Sequence, residues 1–92
     1  MKDLFSLEGR TALVTGGSVG IGAMIAEGFV DFGAKVYIVA RREDVLTKKQ
    51  EELAAIGACE YIVADVSTVD GIKRLAADYA EREKSLDILV NN

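Results

Sequence analysis

The chain contains no histidine, no proline and no tryptophan, and its only cysteine is Cys59. Without histidine these residues cannot form a Ser-His-Asp triad, and a conventional zinc site is not expected. A single cysteine excludes a disulfide within the chain, and we expect Cys59 to be a buried thiol and not a nucleophile. The lack of proline fits a chain that is almost entirely regular structure.

Long apolar runs and an excess of basic residues are also missing. No run approaches the roughly 20 apolar residues that a membrane span needs, and the first ten residues do not resemble a signal peptide. Eleven basic and fifteen acidic residues give a formal net charge of −4, which disfavours binding to nucleic acid or to an anionic membrane. With 92 residues, half of them hydrophobic, we expect one domain or part of one, in the cytoplasm.

Four short apolar runs alternate with three helical patterns. The runs cover residues 11–15, 35–40, 61–64 and 87–90. None of them alternates polar with apolar residues, which is typical of strands covered on both faces. The order βαβαβαβ with short connections therefore predicts an α/β fold with a parallel Rossmann-type sheet. Right-handed crossovers give the strand order 3-2-1-4, the N-terminal half of a doubly wound domain.

Helical spacing of apolar residues predicts which helix faces pack on this sheet. The expected inward-facing residues are Ile21, Ile25, Phe29 and Phe32 in the first helix, Leu46 and Leu53 in the second, and Ile72, Leu75, Ala76 and Tyr79 in the third. The second helix is expected over 43–56. Gly33 and Gly57 stand where the first two helices should end. Ser67, three residues before Asp70, is expected to cap the third.

The most informative segment reads Thr15-Gly16-Gly17-Ser18-Val19-Gly20-Ile21-Gly22. It leaves the first strand and opens the first helix, and residues 16–22 are called the glycine turn below. Glycines permit a tight turn and let a pyrophosphate approach backbone N–H groups, while the helix N-terminus adds partial positive charge. The alternative is a tight strand-to-helix turn without a ligand.

This segment matches the T-G-x-x-x-G-[IL]-G signature, and the chain thereby resembles the short-chain dehydrogenase/reductase family. Asp65-Val66 resembles the family's adenine-contacting pair, and Leu89-Val90-Asn91-Asn92 resembles the opening of its Asn-Asn-Ala-Gly motif. In the family the catalytic serine and the Tyr-x-x-x-Lys pair follow that motif. The resemblance implies that residues 1–92 are the N-terminal dinucleotide-binding part of a longer enzyme, inactive as supplied, with no catalytic residue and no metal ligand.

The resemblance also implies a set of cofactor-binding residues. They are Gly16, Ser18, Val19, Gly20, Ile21, Gly22, Arg41, Arg42, Asp65, Val66 and Asn92. For Asp65 the alternative is a cap on the third helix, for which Ser67 competes. In the family, the first asparagine of the pair Asn91-Asn92 braces loops at the sheet edge, and the second lies nearer the cofactor ribose.

The end of the second strand predicts which cofactor is bound. An acid about twenty residues past the glycines selects NAD, but Ala40 stands there and Arg41 and Arg42 follow. A guanidinium matches a 2′-phosphate, so we expect NADP(H), with Arg41 as the main reader and Arg42 as a second contact. The alternative is a basic pair on a solvated helix start, an electrostatically poor position for arginine. One departure is Val19, where NADP-preferring family members often carry a basic residue.

Residues 5–41 are most similar to the 3-oxoacyl-thioester reductase branch, including rhamnolipid-type ketoacyl reductases. That similarity implies an NADP(H)-dependent oxidoreductase that reduces a carbonyl, favouring a 3-oxoacyl thioester, carrier- or CoA-linked, and forming a homo-oligomer as the intact protein. Two alternatives stay open: a sugar-acid, polyol or other secondary-alcohol dehydrogenase of the same family, and a non-catalytic dinucleotide-binding or interaction module. An apolar edge strand at 87–90 favours the longer enzyme, because a self-sufficient protein of this size would protect such an edge.

Overall fold

The structure is a computed structural model that describes residues 6–92; Phe5, at which the similarity to the reductase branch begins, lies outside the described residues. Seven elements follow one another with short connections. They are β1 (Thr11–Thr15), α1 (Gly20–Asp31), β2 (Lys35–Ala40), α2 (Glu43–Ala54), β3 (Cys59–Val63), α3 (Val69–Arg82) and β4 (Ile88–Asn91). All neighbouring strands pair in parallel in the order β3-β2-β1-β4, which confirms the predicted fold class and topology.

Two cores lie on opposite faces of the sheet because successive strand side chains point to opposite sides. On one face α1 and α2 pack over residues such as Val36 and Ile38, with Leu46 and Leu53 buried as expected. On the other face α3 alone covers residues such as Tyr37. The strand register pairs Thr15 with Val39 of β2 and with Asn91 of β4, so these strands end at one edge. That edge is called the carboxyl edge below.

The inward face of α1 is not the one expected from its large apolar residues. Its buried residues are Gly22, Ala23, Ala26 and Val30, whereas Ile21 is 69% exposed. Phe29 is half-buried and packs against the core as predicted, and Ile25 is half-buried, but Phe32 is exposed, so the predicted stripe is only partly right. Small residues on the inner face let the helix backbone lie close to the sheet, and the glycine turn fixes the helix rotation that presents them.

The start of α3 also differs from the expectation. Thr68 is the N-cap, and its Oγ1 accepts a hydrogen bond from the N–H of Gly71 at 3.0 Å. Ser67 is not the cap because its hydroxyl donates to Asp65 Oδ1 at 2.6 Å, which moves the helix start one residue along. Within α3 only Leu75 is buried and Tyr79 is half-buried. Ile72 and Ala76 are exposed, contrary to the prediction.

The free edge of the sheet beside β1 is formed by β4. Among the described residues this strand pairs only with β1, and Leu89 in its middle is 62% exposed. No charged residue and no proline occur among its four residues. The apolar, unprotected edge expected from the sequence is therefore present. Within residues 6–92, no helix is both long and apolar enough to cross a membrane.

A polar cluster lies beneath α3 near the amino ends of the strands, opposite the carboxyl edge. The buried Tyr37 hydroxyl donates to Glu83 Oε2 at 2.6 Å, and Lys35 Nζ lies 2.7 Å from the same oxygen. The Tyr79 ring meets the Tyr37 ring edge-on, with centroids 5.2 Å apart. The hydrogen bond from Lys35, and to a smaller extent the one from Tyr37, holds the pKa of Glu83 below its ordinary value. Glu83 therefore joins the end of α3 to β2.

Replacing Glu83 tests this connection. Glu83→Ala leaves the Tyr37 hydroxyl and Lys35 without their partner, and we expect a loss of about 1–2 kcal/mol in the free energy of unfolding at pH 7. Glu83→Gln, which can still accept from Tyr37, is the control and should lose less.

The stability lost in Glu83→Ala should depend on pH. A carboxyl group whose pKa is lowered on folding contributes its full stabilisation of the folded state at pH values above its unfolded pKa. That contribution is lost as the pH falls through the folded pKa. The gap between wild type and Glu83→Ala should therefore shrink below the ordinary value of 4.5. Chemical denaturation at several pH values measures it, and a gap that widens in acid would contradict the assignment.

Candidate functional site

The glycine turn wraps the end of β1 at the carboxyl edge. Gly16 has φ of +70°, a left-handed conformation that favours glycine, and its N–H donates to the carbonyl of Val39 at 2.7 Å. The turn then enters α1 through Val19, which is extended and offers no side-chain cap. No acidic residue occurs in the first turn of this helix. The N–H groups and partial positive charge of α1 are therefore available to an anion.

Gly22 is the point at which the turn closes on itself. A Cβ built on Gly22 would collide with the carbonyl of Gly16 and would lie 2.8 Å from Nδ2 of Asn92. Any side chain here would push α1 away from the strand or displace Asn92. The third motif glycine thus permits the close helix–strand approach that a dinucleotide site needs.

Thr15 joins the turn to the end of β4. Its buried hydroxyl lies 3.2 Å from Asn91 Oδ1 and 3.3 Å from the carbonyl of Val90, and it accepts the N–H of Asn92 at 3.1 Å. A single hydroxyl hydrogen serves one acceptor at a time, while its lone pairs stay free for Asn92. The motif match included Thr15 without giving it a role. The signal for this role in the sequence was the position of Thr15 at the end of a buried strand, directly before a glycine.

A cleft of about 340 Å³ opens at the carboxyl edge between the ends of β1, β2 and β3. It brings together five of the predicted site residues, Gly16, Arg41, Asp65, Val66 and Asn92. Of the remaining predicted residues, Ser18 is buried, whereas Val19 and Ile21 are 64% and 69% exposed at the start of α1. The cleft is therefore bounded on one side by the glycine turn and on the other by the segment after β3.

The two arginines after β2 have different surroundings. Arg42 Nη2 lies 2.8 Å from Asp44 Oδ2, and both side chains are exposed. Among residues 6–92, Arg41 has no carboxylate within ion-pairing distance. It lines the cleft and a neighbouring cavity of about 380 Å³, which Arg74 of α3 also lines. Arg74 was missed by sequence reasoning, because only the packing of α3 brings it near Arg41.

Asp65 holds the segment after β3 in place. Its Oδ1 accepts from the N–H of Ser67 at 2.9 Å and from the hydroxyl of Ser67 at 2.6 Å. These bonds hold the pKa of Asp65 below its ordinary value, so the carboxylate is charged at neutral pH. Asp65 does not cap α3, since Thr68 does. Its second oxygen has no hydrogen-bond partner within the described part of the chain.

No catalytic group accompanies these residues at the carboxyl edge in the described range 6–92. Tyr37 and Tyr79 belong to the cluster at the opposite edge, and the Tyr61 hydroxyl donates to Glu43. Cys59 is 3% exposed, and burial raises its pKa to about 12, so the buried thiol expected from the sequence is confirmed. Among the same residues no group of acidic or sulfur side chains could hold a metal ion.

A profile described as short chain dehydrogenase matches residues 10–92. Together with the parallel sheet and the glycine turn, this match shows that the chain belongs to the short-chain dehydrogenase family, as its motif indicated.

One curated relative and two solved structures show the likeness in detail. The rhamnolipids biosynthesis 3-oxoacyl-[acyl-carrier-protein] reductase of Pseudomonas aeruginosa is 50% identical over 92 residues, which are all of this chain and 36% of that protein. The Pseudomonas aeruginosa RhlG/NADP active-site complex superimposes with a TM-score of 0.96 at 50% identity, covering 100% of this chain and 37% of that one. The L-sorbose reductase of Gluconobacter frateurii, complexed with NADPH and L-sorbose, gives 0.89 at 35% identity, covering 95% and 34%. The chain thus spans little more than a third of these relatives.

Thr15→Val tests the connection between β1 and β4. Valine has a similar shape but leaves the Asn92 N–H and the Asn91 amide oxygen without their partner, and we expect a loss of about 1–3 kcal/mol in unfolding free energy. Thr15→Ser keeps the hydroxyl and should lose less than half as much. Denaturant unfolding of both variants measures the difference, and equal losses would mean that the methyl group matters and the hydroxyl does not.

Proposed function

We propose that this chain is the NADP(H)-binding part of a longer oxidoreductase that reduces a carbonyl group to an alcohol. The observation that carries this proposal is the position of Arg41. It lines the cleft beside the glycine turn, and no carboxylate among residues 6–92 pairs with it. The residue before Arg41 is Ala40 and not an acid, so no carboxylate at the end of β2 would repel a phosphate. A guanidinium at this position suits a 2′-phosphate. The likeness to two solved structures that are complexes with NADP and with NADPH supports this proposal.

The proposed cofactor contacts follow the edge of the sheet. The pyrophosphate would bind the backbone of the glycine turn, from Gly16 through Ser18, Val19, Gly20 and Ile21 to Gly22. The uncapped α1 and the space that a Cβ on Gly22 would fill fit such a group.

The adenosine end would lie over the rest of the cleft. The Asp65 carboxylate, with its free oxygen, would accept from the adenine amino group, and the N–H of Val66 would contact the ring. Asn92 would lie near a ribose, and Arg41 would bind the 2′-phosphate. Arg42 is a weaker second contact because Asp44 already pairs with it. NADPH, when bound, supplies a hydride, and this chain's residues bind and orient it.

For the substrate we propose a 3-oxoacyl thioester linked to a carrier or to coenzyme A. The support is the 50% identity to a 3-oxoacyl-[acyl-carrier-protein] reductase. A sugar or polyol substrate is the second candidate, supported by the likeness to the L-sorbose reductase. We place the groups that act on the carbonyl outside residues 1–92, so this segment alone should show no turnover. A homo-oligomer and a cytoplasmic location stay predictions from the sequence.

A non-catalytic dinucleotide-binding or interaction module is the remaining alternative. The reading frame beyond Asn92 distinguishes it. An Ala-Gly that continues the motif and a later Tyr-x-x-x-Lys would favour the enzyme, whereas a stop codon would favour the module.

Cofactor titration with the intact protein tests the role of Arg41. Arg41→Ala should weaken NADPH binding about ten- to a hundred-fold, because a charge-assisted pair worth roughly 1.5–3 kcal/mol is lost. NADH has no phosphate at that position, so its binding should barely change. Arg42→Ala is the neighbouring control and should have a milder effect. If Arg41→Ala weakens both cofactors equally, the arginine is structural and the NADP(H) proposal fails.

Ala40→Asp tests the same site from the opposite direction. A carboxylate there repels a 2′-phosphate and offers the free 2′-hydroxyl of NADH an acceptor. The preference, measured as the ratio of the two dissociation constants, should move toward NADH. Unchanged preference would place the 2′-phosphate elsewhere.

A further inference from the structure

A second cavity lies on the α2 side of the glycine turn and has a volume of about 240 Å³. Its walls are Ser18 and Val19 of the turn and four residues of α2, namely Val45, Lys48, Lys49 and Glu52. The four α2 residues have the spacing i, i+3, i+4, i+7, which places them on one face of the helix. Two lysines of α2 therefore line a cavity against the segment whose backbone suits an anion.

Only one of these two lysines is neutralised by an ion pair. Lys49 Nζ lies 2.8 Å from Glu52 Oε2, and this contact chiefly accounts for the lowered pKa of Glu52. Lys48 has no carboxylate within ion-pairing distance in the described range 6–92. Among residues 6–92 the ammonium group of Lys48 thus has no carboxylate in contact, although its charge also helps to lower the pKa of Glu52, which lines the same cavity.

The charges at the start of α2 would leave a phosphate beside Arg41 only partly neutralised. A phosphate monoester carries about −1.5 to −2 charges at neutral pH, more than one guanidinium offsets. Arg42 is paired with Asp44, and Glu43 adds a carboxylate that, among residues 6–92, only the Tyr61 hydroxyl contacts, at 3.1 Å. A further cation close to this end of the helix would strengthen a preference for the phosphorylated cofactor.

Lys48 has the position to supply that charge. Helical side chains lean toward the helix N-terminus, so the chain of Lys48 covers the turn that precedes it. At 1.5 Å per residue, its Cα lies roughly 9 Å along the axis from Arg42, a span that a lysine chain and a phosphate together can bridge. Arg74 is the rival cation, because it lines a cavity together with Arg41, although Asp65 and Asp70 line that cavity too.

We propose that Lys48 is a specificity-determining residue that supplies a second positive charge to the 2′-phosphate of NADP(H). It would take the place of the basic side chain that Val19 does not provide. This inference rests on the proposed function, since it assumes that the 2′-phosphate lies beside Arg41.

The test is calorimetric titration of the intact protein with NADP⁺ and NAD⁺, and with 2′,5′-ADP and 5′-AMP as fragments that differ by the same phosphate. Lys48→Met should raise the Kd for NADP⁺ and 2′,5′-ADP about five- to twenty-fold, and change the Kd for NAD⁺ and 5′-AMP less than two-fold. Lys48→Arg should restore most of the loss. NADP⁺ binding by Lys48→Met should also depend less on salt.

Lys73→Met, an exposed lysine of α3 outside this cavity, is the matched control and should leave all four constants unchanged. The inference is overturned if Lys48→Met weakens both cofactors equally, if it changes neither, or if Arg74→Met alone produces the selective loss. A wild-type protein that binds NAD⁺ as tightly as NADP⁺ would instead overturn the proposed function itself. A clear NADP⁺ preference that Arg41→Ala removes and Lys48→Met does not would overturn this inference alone.

Discussion

The close approach of α1 to the end of β1 is the constraint on which the rest of the site depends. Gly22 sits against the carbonyl of Gly16, with no room for a Cβ between them. This contact fixes the rotation of α1, which turns Ala23 and Ala26 toward the sheet and leaves Ile21 exposed. The N-cap residue Val19 has no polar side-chain atom, so the turn's backbone amides stay available to a ligand.

Thr15 extends this constraint across the sheet. Because its hydroxyl contacts Asn91 and Asn92, the end of β4 keeps a fixed position relative to the glycine turn. Asn92 then lies beside both Gly16 and Gly22. Two segments more than seventy residues apart in sequence thus share one hydrogen-bonded wall of the cleft. A buried hydroxyl that both donates and accepts is suited to this role, because few other side chains can do both in so little space.

The sequence was sufficient for the parts of the fold that depend on local patterns. Continuous apolar runs predicted the strands, and the glycine motif predicted the turn between β1 and α1. The inward face of α1 was mispredicted because the side chains that pack best there are small, and a hydrophobicity pattern favours large ones such as Ile21. The cap of α3 was misplaced because Ser67 and Thr68 are adjacent capping types, and only the bond from Ser67 to Asp65 decides between them. Lys48 and Arg74 could not be assigned from sequence, since their neighbours come from packing between helices.

The distribution of ion pairs explains how an acidic chain can suit a polyanionic cofactor. A net charge of −4 repels such a ligand at long range, but at physiological salt screening limits the distance over which exposed charges act to about 8 Å. Within that range the local pattern matters more than the total. Lys35, Arg42 and Lys49 are each held by a carboxylate, whereas Arg41 and Lys48 have no such partner among residues 6–92. The fold thus leaves positive charge unpaired on both sides of the glycine turn, where the proposed cofactor would carry its phosphates.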